Sequence, residues 1–203
     1  MKRLFLTSVA AETLKEFVKI LPKLPKDYTV AFIPTAADPY ENKSFVEEDR
    51  SKLLELGFKV VDVDIKEKTE EQLLDELAGI DIIFVAGGNT FYLLEKSIES
   101  GFGKIVKNLV EQGVMYIGSS AGSVLVGPTL EPIQTLDDPK KAPNLKSFTG
   151  LNIVDFVVLP HFGIEKYKEK QEEILEEYKD KVKIITLTDK QAILIEGNNQ
   201  TIL

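Results

Sequence analysis

Few side chains in this sequence can break a covalent bond, and one of them stands in a patterned place. The run Val114-Met115-Tyr116-Ile117-Gly118-Ser119-Ser120-Ala121-Gly122-Ser123 passes from an apolar stretch through small residues into a helical period. Gly-x-Ser-x-Gly at a strand-to-helix junction is the pattern of a nucleophile elbow. Its glycines let the chain turn sharply, and the central hydroxyl is held out beyond the strand end. The pattern centres on Ser120, with Ser119 and Ser123 as competitors for the role. The Ala121 N–H, at the helix start, suits a developing oxyanion. A plain small-residue turn with a serine cap would use the same residues, so the motif needs partners.

A second glycine turn lies upstream, in Val85-Ala86-Gly87-Gly88-Asn89-Thr90. It also follows an apolar run and leads into a helical period. It lacks the Lys-Ser/Thr of a P-loop and the spacing of a dinucleotide fingerprint. Its backbone could instead supply a second oxyanion donor, from Gly88 or Asn89. Two such turns at the ends of adjacent parallel strands would open onto one crevice. A serine nucleophile needs a base, and the chain holds one histidine, His161, in Leu159-Pro160-His161-Phe162-Gly163. The base needs an orienting acid. Glu131, Asp137 and Asp138 lie in the segment between serine and histidine, with Asp155 in the following strand. The residues alone leave all of these open, because Asp137-Asp138-Pro139 also suits an Asx turn.

Composition narrows the remaining chemistry. With no cysteine, disulfides, thiolate zinc sites and cysteine nucleophiles are excluded. A single histidine excludes a multi-histidine metal site, and no cofactor is implied. The net charge of -8 argues against a nucleic-acid partner, which would need clustered Lys and Arg. No apolar run reaches the roughly 18–20 residues of a membrane span. The basic start Met1-Lys2-Arg3 precedes an apolar stretch broken by Glu12 and Lys15, so a cytoplasmic location is expected rather than a signal peptide.

The elements that must position these residues alternate between short apolar runs and longer amphipathic stretches, the pattern of an α/β fold. Strands are predicted at 3–9, 29–34, 59–64, 81–86, 114–118, 154–159, 183–187 and 192–196. Helices are predicted near 10–21, 42–56, 70–77, 91–99, 103–112 and 165–179. Thr69-Glu70-Glu71-Gln72 has the form of a capping box. The expected architecture is one domain over 1–203, a doubly wound, mostly parallel sheet with helices on both faces. Residues 127–149, with four prolines and no clear period, form a long excursion just after Ser120. A loop of that length is usually functional or mobile.

Three segments together, Gly87-Gly88-Asn89-Thr90-Phe91, Gly118-Ser119-Ser120-Ala121-Gly122 and Pro160-His161-Phe162, resemble peptidase E, the aspartyl dipeptidases, and their serine-peptidase relatives including cyanophycinase. Phe32-Ile33-Pro34-Thr35-Ala36 fits as well, so the resemblance covers most of the chain. It implies a flavodoxin-like three-layer sandwich similar to the class I glutamine amidotransferases, with serine in place of their cysteine. It also implies a Ser–His–acid triad, with Ser120 as nucleophile, His161 as general base and the Gly88 and Ala121 backbone as oxyanion hole. Thr135-Leu136-Asp137-Asp138-Pro139 resembles the segment carrying the acid in aspartyl dipeptidases, which favours Asp137, with Glu131 in reserve. Gly87, Asn89 and Thr90 are expected against a short peptide substrate, in a monomer or homodimer. One departure stands out. The arginine expected after the His-Phe pair is absent from Gly163–Lys170, and the only arginines are Arg3 and Arg50, so Asp-X specificity does not follow.

Two other readings compete. An esterase of the α/β-hydrolase type shares Gly-x-Ser-x-Gly, but 41 positions between Ser120 and His161 leave room for about one strand, where that fold interposes several units. A non-catalytic module could use the two glycine turns for a small anion, but it would not need Ser120, His161 and nearby acids together.

Overall fold

The computed structural model describes residues 1–203. The first apolar runs build five parallel strands: β1 (Arg3–Thr7), β2 (Thr29–Ile33), β3 (Lys59–Asp62), β4 (Ile82–Val85) and β5 (Met115–Ser119). In space they follow the order β3-β2-β4-β5-β1, which places the ends of β4, β5 and β1 side by side. The sheet then continues antiparallel through β8 (Ala192–Glu196) and β9 (Asn199–Ile202). Alternate residues of each strand face opposite sides. Leu4, Leu6, Ala31, Ile33, Ile83 and Val85 belong to one core cluster. Phe5, Val30, Phe32, Ile82 and Phe84 belong to the other.

Helices cover both faces. On one side lie α1 (Ala10–Lys19) and α2 (Ser44–Glu55), contributing Leu14, Phe17, Val46 and Leu53. On the other lie α3 (Glu70–Glu76), α4 (Thr90–Glu99), α5 (Phe102–Gln112), the short α6 (Ala121–Leu125) and α7 (Lys168–Tyr178). These contribute Leu73, Phe91, Ile105, Val124 and Ile174. The result is the expected three-layer α/β sandwich around a mostly parallel sheet. The capping box of α3 forms as predicted, with Thr69 Oγ1 accepting from Gln72 N–H and Gln72 Oε1 accepting from Thr69 N–H.

Two features depart from the sequence expectation. The runs at 154–159 and 183–187 do not join the main sheet. Their cores, β6 (Val157–Leu159) and β7 (Ile184–Thr186), pair with each other in a separate two-stranded parallel sheet packed beside it. Runs of three residues carry no signal of which sheet they will join. The second is β9, a hairpin partner of β8 reached through Gly197-Asn198. Its residues, Asn-Gln-Thr-Ile, are exposed and lack an apolar period, although the Gly-Asn pair is a turn signal.

The excursion at 127–149 contains only two 3₁₀ turns, at Glu131–Thr135 and Pro139–Lys141, and is closed at its base by a bridge between Thr129 and Thr149. It is tied to the start of α4. Asn89 Nδ2 donates to Asp138 O at 3.0 Å, and Asn144 N–H donates to the buried Glu95 carboxylate at 2.7 Å.

Candidate active site

Strand register brings the site together. Because Thr7 pairs with Ser119 and Val85 with Gly118, the residues just past β4, β5 and β1 form one row: Gly87, Ser120 and Ser8. Ser120 N–H donates to Thr7 O at 3.0 Å and closes the row on one side. The turn after β5 is sharp. Ser120 holds φ 46° and ψ −105°, a region that non-glycine residues rarely occupy. Gly122 is fixed as glycine, since a Cβ there would lie 2.2 Å from Val85 O. Gly88 is fixed for two reasons. Its φ is +145°, and a Cβ would lie 2.1 Å from Ala36 O.

The three serines of the turn have separate partners. Ser123 is fully buried, its hydroxyl lying against Thr7 O and Gly118 O and accepting from Thr7 N–H. Ser119 Oγ accepts from Ala10 N–H at the start of α1. Ser120 Oγ stands 3.1 Å from His161 Nε2 and lines the main cavity.

His161 follows β6, and residues past the ends of parallel neighbours stand side by side. Leu159 pairs with Thr186, and Phe162 N–H donates to Leu187 O at 2.9 Å. That pairing places Asp189, in the turn after β7, against the imidazole, with Oδ1 2.8 Å from Nδ1. An unbroken chain therefore runs Ser120 Oγ, His161 Nε2, His161 Nδ1, Asp189 Oδ1. In this geometry an imidazole can take a hydroxyl proton while a carboxylate holds its other nitrogen.

The residues expected as the acid are not the hydrogen-bond partners of His161: Nδ1 meets Asp189 Oδ1, while neither Asp137 nor Glu131 is bonded to the imidazole. Asp137 accepts from Thr90 N–H at 2.8 Å and Thr90 Oγ1 at 2.6 Å, so its carboxylate serves the first turn of α4. Burial pushes the Asp137 carboxyl above its ordinary range, against the opposing pull of the Thr90 donors and of His161. Glu131 is exposed at the start of a 3₁₀ turn and lies outside the cavity lining. Asp138 caps its own turn at Lys140 N–H, and Asp155 is exposed. Asp189 follows His161 in the chain, outside the segment between Ser120 and His161 where an acid was expected. One signal was present: Thr188-Asp189 directly follows a predicted strand, where parallel sheets place their functional groups.

The cavity has a volume of about 370 Å³, and Gly87, Gly88, Thr90, Asp137 and Tyr167 line it beside Ser120 and His161. Asn89 does not line it. Its side chain caps Tyr92 N–H and donates to Asp138 O. Gly88 N–H donates to no protein acceptor, and Ala121 is the first residue of α6, a position whose N–H has no intrahelical partner. Glu48, Asp49 and Asp137 line the cavity together with one lysine, Lys166, whose ammonium sits 4.4 Å over the Tyr167 ring. Asp49 is buried, and its carboxyl is pushed up to about 6 by that burial, with Ser119 and the Ala11 N–H pulling the other way. No group of three or more acidic or histidine side chains is arranged to hold a metal ion. No helix is long and apolar enough to cross a membrane.

Comparison with known proteins agrees with the residue pattern. The family model described as Peptidase family S51 matches residues 4–203. An uncharacterized peptidase of Listeria monocytogenes is 38% identical over 197 residues, covering 97% of this chain and 96% of the relative. An uncharacterized peptidase of Pasteurella multocida is 33% identical over 201 residues, covering 99% and 96%. The crystal structure of a Listeria monocytogenes EGD-e protein described as a candidate peptidase E superposes with a TM-score of 0.94 at 36% identity, covering 100% of this chain and 98% of that one. The chain belongs to peptidase family S51 and is a serine-type peptidase.

Proposed function

We propose that this peptidase hydrolyses short peptides through an acyl-enzyme on Ser120, with His161 as general base and Asp189 as the acid that orients it. The observation that carries this reading is the hydrogen-bond chain of 3.1 Å and 2.8 Å through the one histidine of the sequence. As Ser120 Oγ attacks the peptide carbonyl, its proton passes to His161 Nε2. His161 then returns that proton to the leaving amine, and water repeats the sequence in reverse to release the acid. Asp189 keeps the Nδ1 proton in place and stabilises the imidazolium that forms between the two transfers. The unpaired N–H of Gly88 and the helix-start N–H of Ala121 support their role as oxyanion donors, each contributing on the order of 10²–10³ in rate.

Gly87 and Thr90 in the lining support contact with the substrate, and the cavity is of a size for a small peptide. Three carboxylates against one ammonium oppose a substrate that begins with aspartate, for which Lys166 alone offers a counter-charge. The same balance opposes a free anion as ligand.

A fluorophosphonate should label wild-type protein at Ser120, with no labelling of Ser120→Ala. Dipeptides beginning with neutral or basic residues should be cleaved faster than Asp-X dipeptides. Absence of labelling in folded protein would overturn the nucleophile assignment. Preferential cleavage of simple esters would favour an esterase.

A further inference from the structure

We propose that Ser8 is a positioning residue for this site, tying the His161–Asp189 pair on the small sheet to the end of β1 beside Ser120; the inference rests on the triad reading above. Ser8 is 1% exposed and its hydroxyl meets three groups. It accepts from His161 main-chain N–H at 2.7 Å, lies 2.7 Å from Asp189 Oδ1, and stands 3.2 Å from His161 Nδ1. A main-chain N–H only donates, so Oγ is the acceptor there. Its single proton then goes to the Asp189 carboxylate.

Two consequences follow. With the Ser8 proton committed to Asp189, His161 Nδ1 faces only acceptor oxygens, so Nδ1 carries the hydrogen and the Nε2 lone pair faces Ser120. In addition, His161 has φ 58°, an uncommon conformation for a non-glycine residue. Ser8 Oγ is the acceptor its N–H finds in that conformation. β6 and β7 share no backbone pairing with the main sheet. One hydroxyl thus joins the main chain of the base, the carboxylate of the acid and the strand next to the nucleophile. Misplacement of reacting groups by about 1 Å costs on the order of a hundredfold in rate.

The test uses the rate of Ser120 labelling by a fluorophosphonate in Ser8→Ala, Asp189→Ala and the double variant, together with the imidazole NMR signals of His161. These signals need no assignment because the chain has one histidine. Ser8→Ala should slow labelling roughly 10- to 100-fold and move the low-field Nδ1 proton upfield as its hydrogen bond to Asp189 loosens. In the Asp189→Ala background the same change should cost clearly less than in wild type, because one of the two links made by the Ser8 hydroxyl is already gone. Should Ser8→Ala not fold, Ser8→Thr, which keeps the hydroxyl, should label at close to the wild-type rate with the low-field proton in place. Labelling of Ser8→Ala within twofold of wild type, losses that multiply independently in the double variant, or a folded Ser8→Thr as slow as a hydroxyl-less variant would each overturn the proposal. If wild-type protein is not labelled at all, the triad reading fails. An Nδ1 proton indifferent to Ser8→Ala would then overturn the positioning role separately.

Discussion

The two halves of the site are built in different ways. Ser120, Gly87 and Gly88 sit at the ends of central strands, β5 and β4, in turns whose residue types follow from the local backbone. Ser120 carries its strained φ between glycines, and Gly88 and Gly122 leave no room for a side chain. His161 and Asp189 sit beyond two three-residue strands that pair only with each other. Their neighbours in sequence do not mark them as partners; they become a pair through the parallel register of β6 and β7. The serine half is a property of short sequence, and the histidine–aspartate half is a property of tertiary pairing.

Each half can be broken separately. On the pairing side, His161→Ala should lower the labelling rate and peptide hydrolysis by about 10³-fold or more while leaving the melting temperature within a few degrees. A loss under tenfold would detach the small sheet from the chemistry. On the local side, Gly88→Ala should destabilise the fold by at least about 2 kcal/mol, since both its positive φ and the Ala36 carbonyl oppose a Cβ. A urea midpoint equal to wild type would contradict that account of the turn.

A smaller effect concerns the floor of the cavity. Val9, before α1, offers no capping side chain. The Ala10 and Ala11 N–H groups are met instead by Ser119 Oγ and by Asp49 Oδ1 at 2.8 Å. Burial raises the Asp49 carboxyl from 3.8 to about 6. A carboxyl raised on folding is neutral in both states below pH 4 and costs stability as pH rises through 6, because the folded state then holds a buried charge. Asp49→Asn keeps an oxygen for Ala11 and removes that charge. Its stability relative to wild type should rise by up to about 3 kcal/mol between pH 4 and pH 7. Parallel stability curves for the two proteins across that window would show that Asp49 does not titrate as described.

The same contrast explains what could be read from the sequence. The α/β class, most element positions, the capping box at Thr69 and the centring of the motif on Ser120 all rest on contacts within a few residues of chain. His161 was legible because it is the sole histidine and follows an apolar run. Asp189 was not, since Thr188-Asp189-Lys190 is an ordinary turn until β7 is known to lie beside β6. Asp137 stood out by lying between Ser120 and His161 in a segment that resembles the acid-bearing one of aspartyl dipeptidases, and in space its carboxylate reaches the Gly87-Gly88 turn as a partner of Thr90 N–H. Asn89, expected against substrate, caps Tyr92 N–H and donates to Asp138 O instead of lining the cavity; capping residues and ligand-binding residues share a side-chain chemistry. Ser8 carried no sequence signal, because its neighbours are 153 and 181 positions away.

The acid of the site is the most direct test of this account. Fluorophosphonate labelling of Ser120 should be compared in Asp189→Asn, Asp137→Asn and Glu131→Gln at one pH. Asp189→Asn should be slowed about 10³- to 10⁴-fold, Asp137→Asn by less than about tenfold and Glu131→Gln not measurably. Near wild-type labelling of Asp189→Asn, with the large loss at Asp137→Asn or Glu131→Gln, would contradict the β6–β7 assembly of the base and its acid.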